Sequence, residues 1–245
     1  MTIPVFLGIA AIMMIAAFVK GVSGFGSSLI AIPLIAAFFL LPQETRVLVV
    51  TINLCLNVFM LVQARSFNKE AFKTFLPLIV SVILASLISG VFLDRFEERM
   101  FTVVLSVLLI FTALNKLFKL SWVIRHASRY FVPVGLLGGA LNTLLGAGSV
   151  PVLIYLGNSD LKKDDFRVTI VLFLFILNSS SLLSFVLNEQ YPLPLVWLSL
   201  SLLPMVLVGN ALGMKMQGRI NDRSFDVLIS VFLLVMGFNG LFGIF

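Results

Sequence analysis

Apolar stretches of about 20 residues recur along this 245-residue chain, set apart by short charged loops, and they leave few folds open to it. A stretch of ~20 apolar residues is the length an α-helix needs to cross ~30 Å of hydrocarbon. Only 11% of the residues are charged and 60% are hydrophobic, against ~25% charged in ordinary soluble domains. With a mean hydropathy of +1.13, too few polar residues exist to coat a globule in water. A membrane β-barrel would show alternating apolar and polar residues in segments of ~10, and that alternation is missing. The expected class is an all-α integral membrane protein.

Met1-Thr2-Ile3-Pro4 carries no basic residue, and no small-residue cleavage site follows, so the first apolar run reads as a membrane segment rather than a secretory signal. Cys55, the one cysteine, sits in an apolar helix, which excludes an internal disulfide or a cysteine metal cluster. His126, the one histidine, falls in a basic loop. A pI near 9.8 suggests nucleic acid in a soluble protein, but in a membrane protein excess Lys and Arg mark cytoplasmic loops. The expected partners are the bilayer and a small anion, with no nucleic acid and no cofactor; a second copy of the chain is a further candidate.

The two halves of the sequence match at an offset of 121 to 127 residues. Gly24-Phe25-Gly26-Ser27 corresponds to Gly146-Ala147-Gly148-Ser149. Arg46 with Asn57 corresponds to Arg167 with Asn178, Pro77 to Pro204, Arg95-x-x-x-Arg99-x-Phe101 to Arg219-x-x-x-Arg223-x-Phe225, and Asn115 to Asn239. The shared order implies a duplication, with repeats 1–125 and 126–245 forming one transmembrane domain. Each repeat opens on an interrupted apolar stretch. The first, Ile3 to Leu41, is expected to break over Lys20–Gly26; the second, Tyr130 to Leu156, at Gly138-Gly139 and again at Gly146–Gly148. Three helices follow in each half, near Arg46–Gln63, Phe75–Leu93 and Phe101–Phe118, then near Arg167–Leu187, Leu195–Met214 and Phe225–Phe242.

Charge chooses the topology. If each broken stretch is a hairpin, one face collects 13 basic residues (Arg65, Lys69, Lys73, Lys116, Lys119, Arg125, Arg129, Lys162, Lys163, Arg167, Lys215, Arg219 and Arg223) against Arg46, Arg95 and Arg99 on the other. If each crosses once, the split is 9 to 7. The positive-inside rule selects the hairpins. A hairpin plus three crossings is an odd unit, so the repeats are expected to be inverted, with both termini outside. That plan recurs among secondary transporters whose substrate site lies at the repeat interface near the midplane.

Helices restart near Ser27 and Ser149, and helix N-termini attract anions. Ser23, Ser27, Ser28 and Ser149 add hydroxyls, while Gly24, Gly26, Gly146 and Gly148 let an oxyanion approach the backbone. Asn57 and Asn178, eleven residues beyond Arg46 and Arg167, stand about 16 Å along their helices, near the bilayer centre. Lys20 is the charged residue inside the first stretch, and Asn142 is its counterpart. The plainer readings are close packing for Gly and Ser, inter-helix bonds for the two asparagines, and snorkelling for Lys20. Arg46 and Arg167 read as interfacial anchors, and Asn115 and Asn239 as packing residues. No Asp or Glu falls mid-span, which disfavours carboxylate proton relays and cation sites. No G-x-x-x-x-G-K-[ST] loop and no Ser/His or His/Glu catalytic pair appears, so no enzyme activity is expected. The alternatives to an oxyanion carrier are a carrier of another small organic acid and a non-transporting scaffold subunit.

Gly21-Val22-Ser23-Gly24-Phe25-Gly26-Ser27-Ser28-Leu29-Ile30-Ala31-Ile32-Pro33-Leu34 resembles the first glycine-rich motif of the sulfite exporter TauE/SafE family. Gly135 to Ser149 (Gly-Leu-Leu-Gly-Gly-Ala-Leu-Asn-Thr-Leu-Leu-Gly-Ala-Gly-Ser) resembles the second, with the Arg167-to-Asn178 helix following. Phe25 and Ala147 stand where the family's glycine runs are usually denser. The resemblance implies transport of small sulfur-containing anions, sulfite or organosulfonates, across a bacterial or archaeal plasma membrane.

Overall fold

The computed structural model describes residues 2–63, 75–118, 130–156, 163–217 and 219–243. Arg65, Ser66, Lys69, Lys73, Lys119, Arg125, His126, Arg129, Ser159 and Lys162 lie outside them, as do the side chains of Lys163 and Arg167. The described helices are α1 (Ile3–Ser23), α2 (Ser27–Phe38), α3 (Pro42–Gln63), α4 (Leu76–Val91), α5 (Glu98–Phe118), α6 (Phe131–Leu145), α7 (Ser149–Leu156), α8 (Lys163–Leu187), α9 (Leu193–Met216) and α10 (Asp222–Leu241). A 3₁₀ turn, Leu93–Arg95, follows α4. Helix is the form that satisfies backbone groups within one segment where no water can. Six helices are long and apolar enough to cross a membrane: α1, α3, α5, α9 and the apolar parts of α8 and α10. The all-α membrane class and the expected helices are therefore present.

Both interrupted stretches fold back on themselves. A Cβ placed on Gly8, in α1, would stand 2.5 Å from the Phe39 ring, just past α2, although collinear helices would hold these residues ~46 Å apart. In the second stretch the rings of Phe131 and Tyr155 meet edge to face, 5.6 Å between centroids. Two expected break points are continuous helix instead. α1 runs unbroken through Lys20-Gly21-Val22-Ser23, and α6 runs through Gly138-Gly139. The reason is packing: Gly21 lies against the backbone of Asn210 and Met214, and Gly139 against the Val82 carbonyl. Those glycines admit a neighbouring helix rather than a turn.

The contacts divide the chain into two compact units, each drawing helices from both halves of the sequence. Unit one holds Met1–Thr45, Arg95–Ser121 and Pro204–Phe245. In it α1 runs parallel to the second half of α9, with Gly209 against the Met14 carbonyl, Gly213 against that of Phe18, and Gly21 against Asn210. α5 and α10 run antiparallel, Gly237 and Gly240 near Ser106 at one end and Lys116 paired with Asp226 at the other. Unit two holds Arg46–Asp94 and Trp122–Leu203. There α6 lies parallel on α4, with Gly135 against the Leu78 carbonyl and the rings of Phe75 and Phe131 5.5 Å apart. α8 joins them through Gly90, which meets Ser184.

The helix α4 shows which way the surfaces point. Val80, Leu84 and Ile88, one turn apart, are 47%, 52% and 59% exposed, while Ser81, Ser86 and Ser89 are buried. Apolar residues outward and hydroxyls inward suit a lipid solvent and would be costly in water.

Small residues at these crossings let helix backbones touch, so enlarging them forces the helices apart. Gly139→Val and Gly213→Val should each destabilise the protein by about 1–3 kcal/mol, read as a lower unfolding temperature in detergent. Val80→Ala on the lipid-facing stripe should shift it little. Equal shifts for all three would remove the packing role.

Candidate functional site

The first break is Gly24-Phe25-Gly26. Both glycines have φ of +86°, a left-handed backbone that costs other L-residues roughly 1–2 kcal/mol. Gly24 closes α1 by donating its N–H to the Lys20 carbonyl at 2.7 Å. The Ser23 hydroxyl lies 2.7 Å from the Phe25 carbonyl and 2.8 Å from that of Val19, so its one proton is used inside the turn. Beside Gly24 and Gly26 a Cβ would meet nothing within 4 Å, so unfilled space adjoins this turn, with Gly24 itself buried and Gly26 half-buried. Lys20, one turn upstream, is 2% exposed. α2 starts at Ser27, itself buried, with Ser28 half-buried, and directs the N-terminal end of a 12-residue helix at the break.

Phe25 fills the middle of that turn. The Lys116 ammonium stands 5.5 Å from its ring centroid, a cation–π distance, and is paired with Asp226 on α10. Lys116 belongs to the last turn of α5, and Gly21 packs on Met214, close to the end of α9. The first break therefore lies near the ends of α5 and α9. A separate cavity of about 300 Å³ lies at the other end of α2, lined mainly by apolar groups such as Ala36, Leu40, Leu105 and Met236.

The second break, Gly146-Ala147-Gly148, is closed. Gly146 (φ +72°) donates to the Asn142 carbonyl at 2.7 Å and Ala147 to that of Leu141 at 3.3 Å. Gly148 donates to the Asn142 side-chain oxygen at 3.3 Å. The Asn142 amide nitrogen in turn reaches Ser181 Oγ at 2.9 Å and both Asn178 Oδ1 and the Leu177 carbonyl at 3.3 Å. Thr143 bonds Ser181 at 2.9 Å, and Asn178 donates to the Leu174 carbonyl at 2.8 Å. A Cβ on Gly148 would collide with the Gly138 carbonyl and with Asn142. Arg46 is buried and donates to the Leu144 carbonyl at 3.3 Å, a cation at the C-terminal end of α6.

The chain matches the family model described as sulfite exporter TauE/SafE over residues 9–240. It belongs to that family. No curated protein and no solved structure matches it. This TauE/SafE chain is thus a multi-pass membrane protein of a transport family, and its two glycine motifs are its two breaks. Lys20, Ser23, Gly24, Gly26, Ser27 and Ser28 fall in unit one; Asn57, Asn142, Gly146, Gly148, Ser149 and Asn178 fall in unit two. Asn142 and Asn178 are brought into direct contact. Asn57 is fully buried in α3, and Ser149 is buried as the first residue of α7. Ser181, Thr143, Lys116 and Asp226 join these neighbourhoods without having been singled out by sequence. Arg46, read as an interfacial anchor, is instead inside unit two; its spacing to Asn57, shared by Arg167 and Asn178, is the signal that it belongs with the repeats' polar residues.

The two breaks differ at the position one turn before each, Asn142 in one half of the chain and Lys20 in the other. Asn142 offers both a donor and an acceptor, so its oxygen takes the Gly148 N–H while its nitrogen bonds α8. Lys20, at the equivalent position, has donors only and cannot accept from the Gly26 N–H in the same way. Asn142→Ala should cost about 1–3 kcal/mol through buried groups left unpaired, and Gly148→Ala a similar amount through overpacking. Because both act on one turn, the double variant should lose less than the sum. Chemical unfolding in detergent measures this; additive losses would separate the two residues.

Proposed function

We propose that this protein is a secondary transporter of small oxyanions, sulfite or an organosulfonate, with the first break as its substrate-binding element. The observation that carries this reading is the open turn at Gly24 and Gly26, with a helix N-terminus beginning at Ser27 and the buried Lys20 one turn away. An oxyanion there meets backbone N–H groups, serine hydroxyls and a cation, the donor set that suits it. The second break carries the other candidate residues, Asn142, Asn178, Gly146, Gly148 and Ser149, with Asn57 buried in the same unit.

The repeats are inverted in this reading, and alternating access moves one against the other. Support comes from charge: with two hairpins 13 basic residues fall on one face against 3 on the other, and a hairpin plus three crossings is an odd unit. In the plasma membrane this sets both termini outside and the basic loops in the cytoplasm. Export of a monoanion is favoured by about 2.3 kcal/mol per 100 mV of membrane potential, which needs no catalytic step.

Liposomes holding the purified protein should take up radiolabelled sulfite saturably, with taurine-type sulfonates competing and acetate failing to. Flux blocked equally by acetate would favour a carrier of another small organic acid; folded protein with no flux would favour a scaffold subunit. Lys20→Asn should fold at least as stably as the parent, because the amide can close the turn as Asn142 does. It should nonetheless lose transport roughly 10- to 100-fold, the scale of one charge-assisted bond. Undiminished transport in Lys20→Asn would remove the first break from the site. Single cysteines at Ser66 and Ser159 should label from the cytoplasmic face; labelling of either from outside would overturn the inverted repeats.

A further inference from the structure

Next to the first break, the ends of α5 and α10 enclose a polar cavity of about 740 Å³ lined by Lys116, Leu117, Phe118, Asn221, Arg223, Asp226 and Val227. Among the described residues its charged lining is two cations and one carboxylate. Lys116 forms its inner wall: the ammonium is paired with Asp226 and simultaneously stands over the ring of Phe25, between the two open glycines. Arg223 lies exposed one turn before Asp226 on α10, its backbone N–H bonded by Asn221 at 3.0 Å, which fixes the start of that helix.

We propose that this cavity is a vestibule subsite for the transported oxyanion, and that Asp226 is a built-in competitor which holds Lys116 until the anion replaces it. The inference rests on the anion-transport reading above and extends it to a second binding position. Three observations combine. The described residues of the cavity carry a net positive charge. Its innermost cation already binds a carboxylate, a group with the charge and the planar pair of oxygens that a small oxyanion presents. And that cation touches the aromatic side chain of the break itself, so anything bound to Lys116 is one side chain away from the turn at Gly24 and Gly26. Asp226 is 47% exposed and Lys116 19%, so the carboxylate can swing toward water while the ammonium stays against Phe25. A pair of this exposure is weak, which is what an exchangeable partner requires.

The test is sulfite transport by liposomes holding the full-length protein, with KM and kcat resolved separately and unfolding temperature measured for each variant. Asp226→Asn removes the competitor and should lower KM about two- to five-fold, the range of an exposed pair. Lys116→Gln should raise KM about ten-fold with kcat less affected, Lys116→Arg should stay near the parent, and Arg223→Gln should raise KM about two-fold. The exchanged variant Lys116→Asp with Asp226→Lys keeps an ion pair but moves the cation off α5, so it should behave like Lys116→Gln. A strap that merely ties α5 to α10 predicts the reverse pattern: Asp226→Asn and Lys116→Gln equally impaired and destabilised, with the exchanged pair restoring parental KM. That result, or unchanged KM throughout, overturns the vestibule while leaving Lys20→Asn to judge the break. Absence of any anion flux in the parent protein would instead overturn the transport reading, and the vestibule with it.

Discussion

A peptide group without a partner in hydrocarbon costs several kcal/mol. A helix interrupted inside an apolar stretch must therefore close its own ends or turn them toward something polar. Each broken hairpin here answers that demand differently. At the second break three successive N–H groups are returned to the end of α6, one of them through the side chain of Asn142. At the first, Gly24 caps α1 and Ser23 ties the turn, but the ground beside Gly24 and Gly26 stays open. The positions of Lys20, Lys116 and Phe25 matter because the space beside the turn they surround is unfilled.

Holding those breaks in place falls to helix contacts that lipid does little to drive. Tails are as apolar as leucine, so association depends on close packing and on bonds between helices. The glycines at 209 and 213 let α9 touch α1, and those at 135 and 139 let α6 touch α4. In both units the first leg of a hairpin is seated on a helix from the other repeat. The pairing of Pro77 with Pro204 in sequence thus has a structural meaning, since α4 and α9 serve as the seats.

Sequence pattern gave access to what depends on local chemistry. Helix restarts at Ser27 and Ser149 follow from glycine-interrupted apolar runs, and the crossings follow from hydropathy. The pattern misled where a glycine has two uses. Gly21, Gly138 and Gly139 resemble turn formers on paper, yet each sits within a continuous helix because a neighbouring backbone needs the space. Contacts between distant residues left no trace either. Lys116 and Asp226 are far apart in the chain, and nothing in their flanking residues announces that they meet beside Phe25. Arg46 looked like an anchor because it stands near a helix start; its burial depends on the end of α6 lying beside it.

Under the proposed duplication, one difference between the halves lets one break be open while the other is closed. Two identical hairpins, each with an asparagine at the end of its first leg, would both be locked from within. Asparagine can accept and donate, so it binds its own turn and a neighbouring helix together. Replacing it by lysine in one repeat removes the acceptor, releases the turn, and adds a positive charge in the same step. Charge and open backbone then arrive as a pair, which is the combination an anion requires and a packed helix end does not. In the closed turn the Asn142 amide still holds the Gly148 N–H and a neighbouring helix at once.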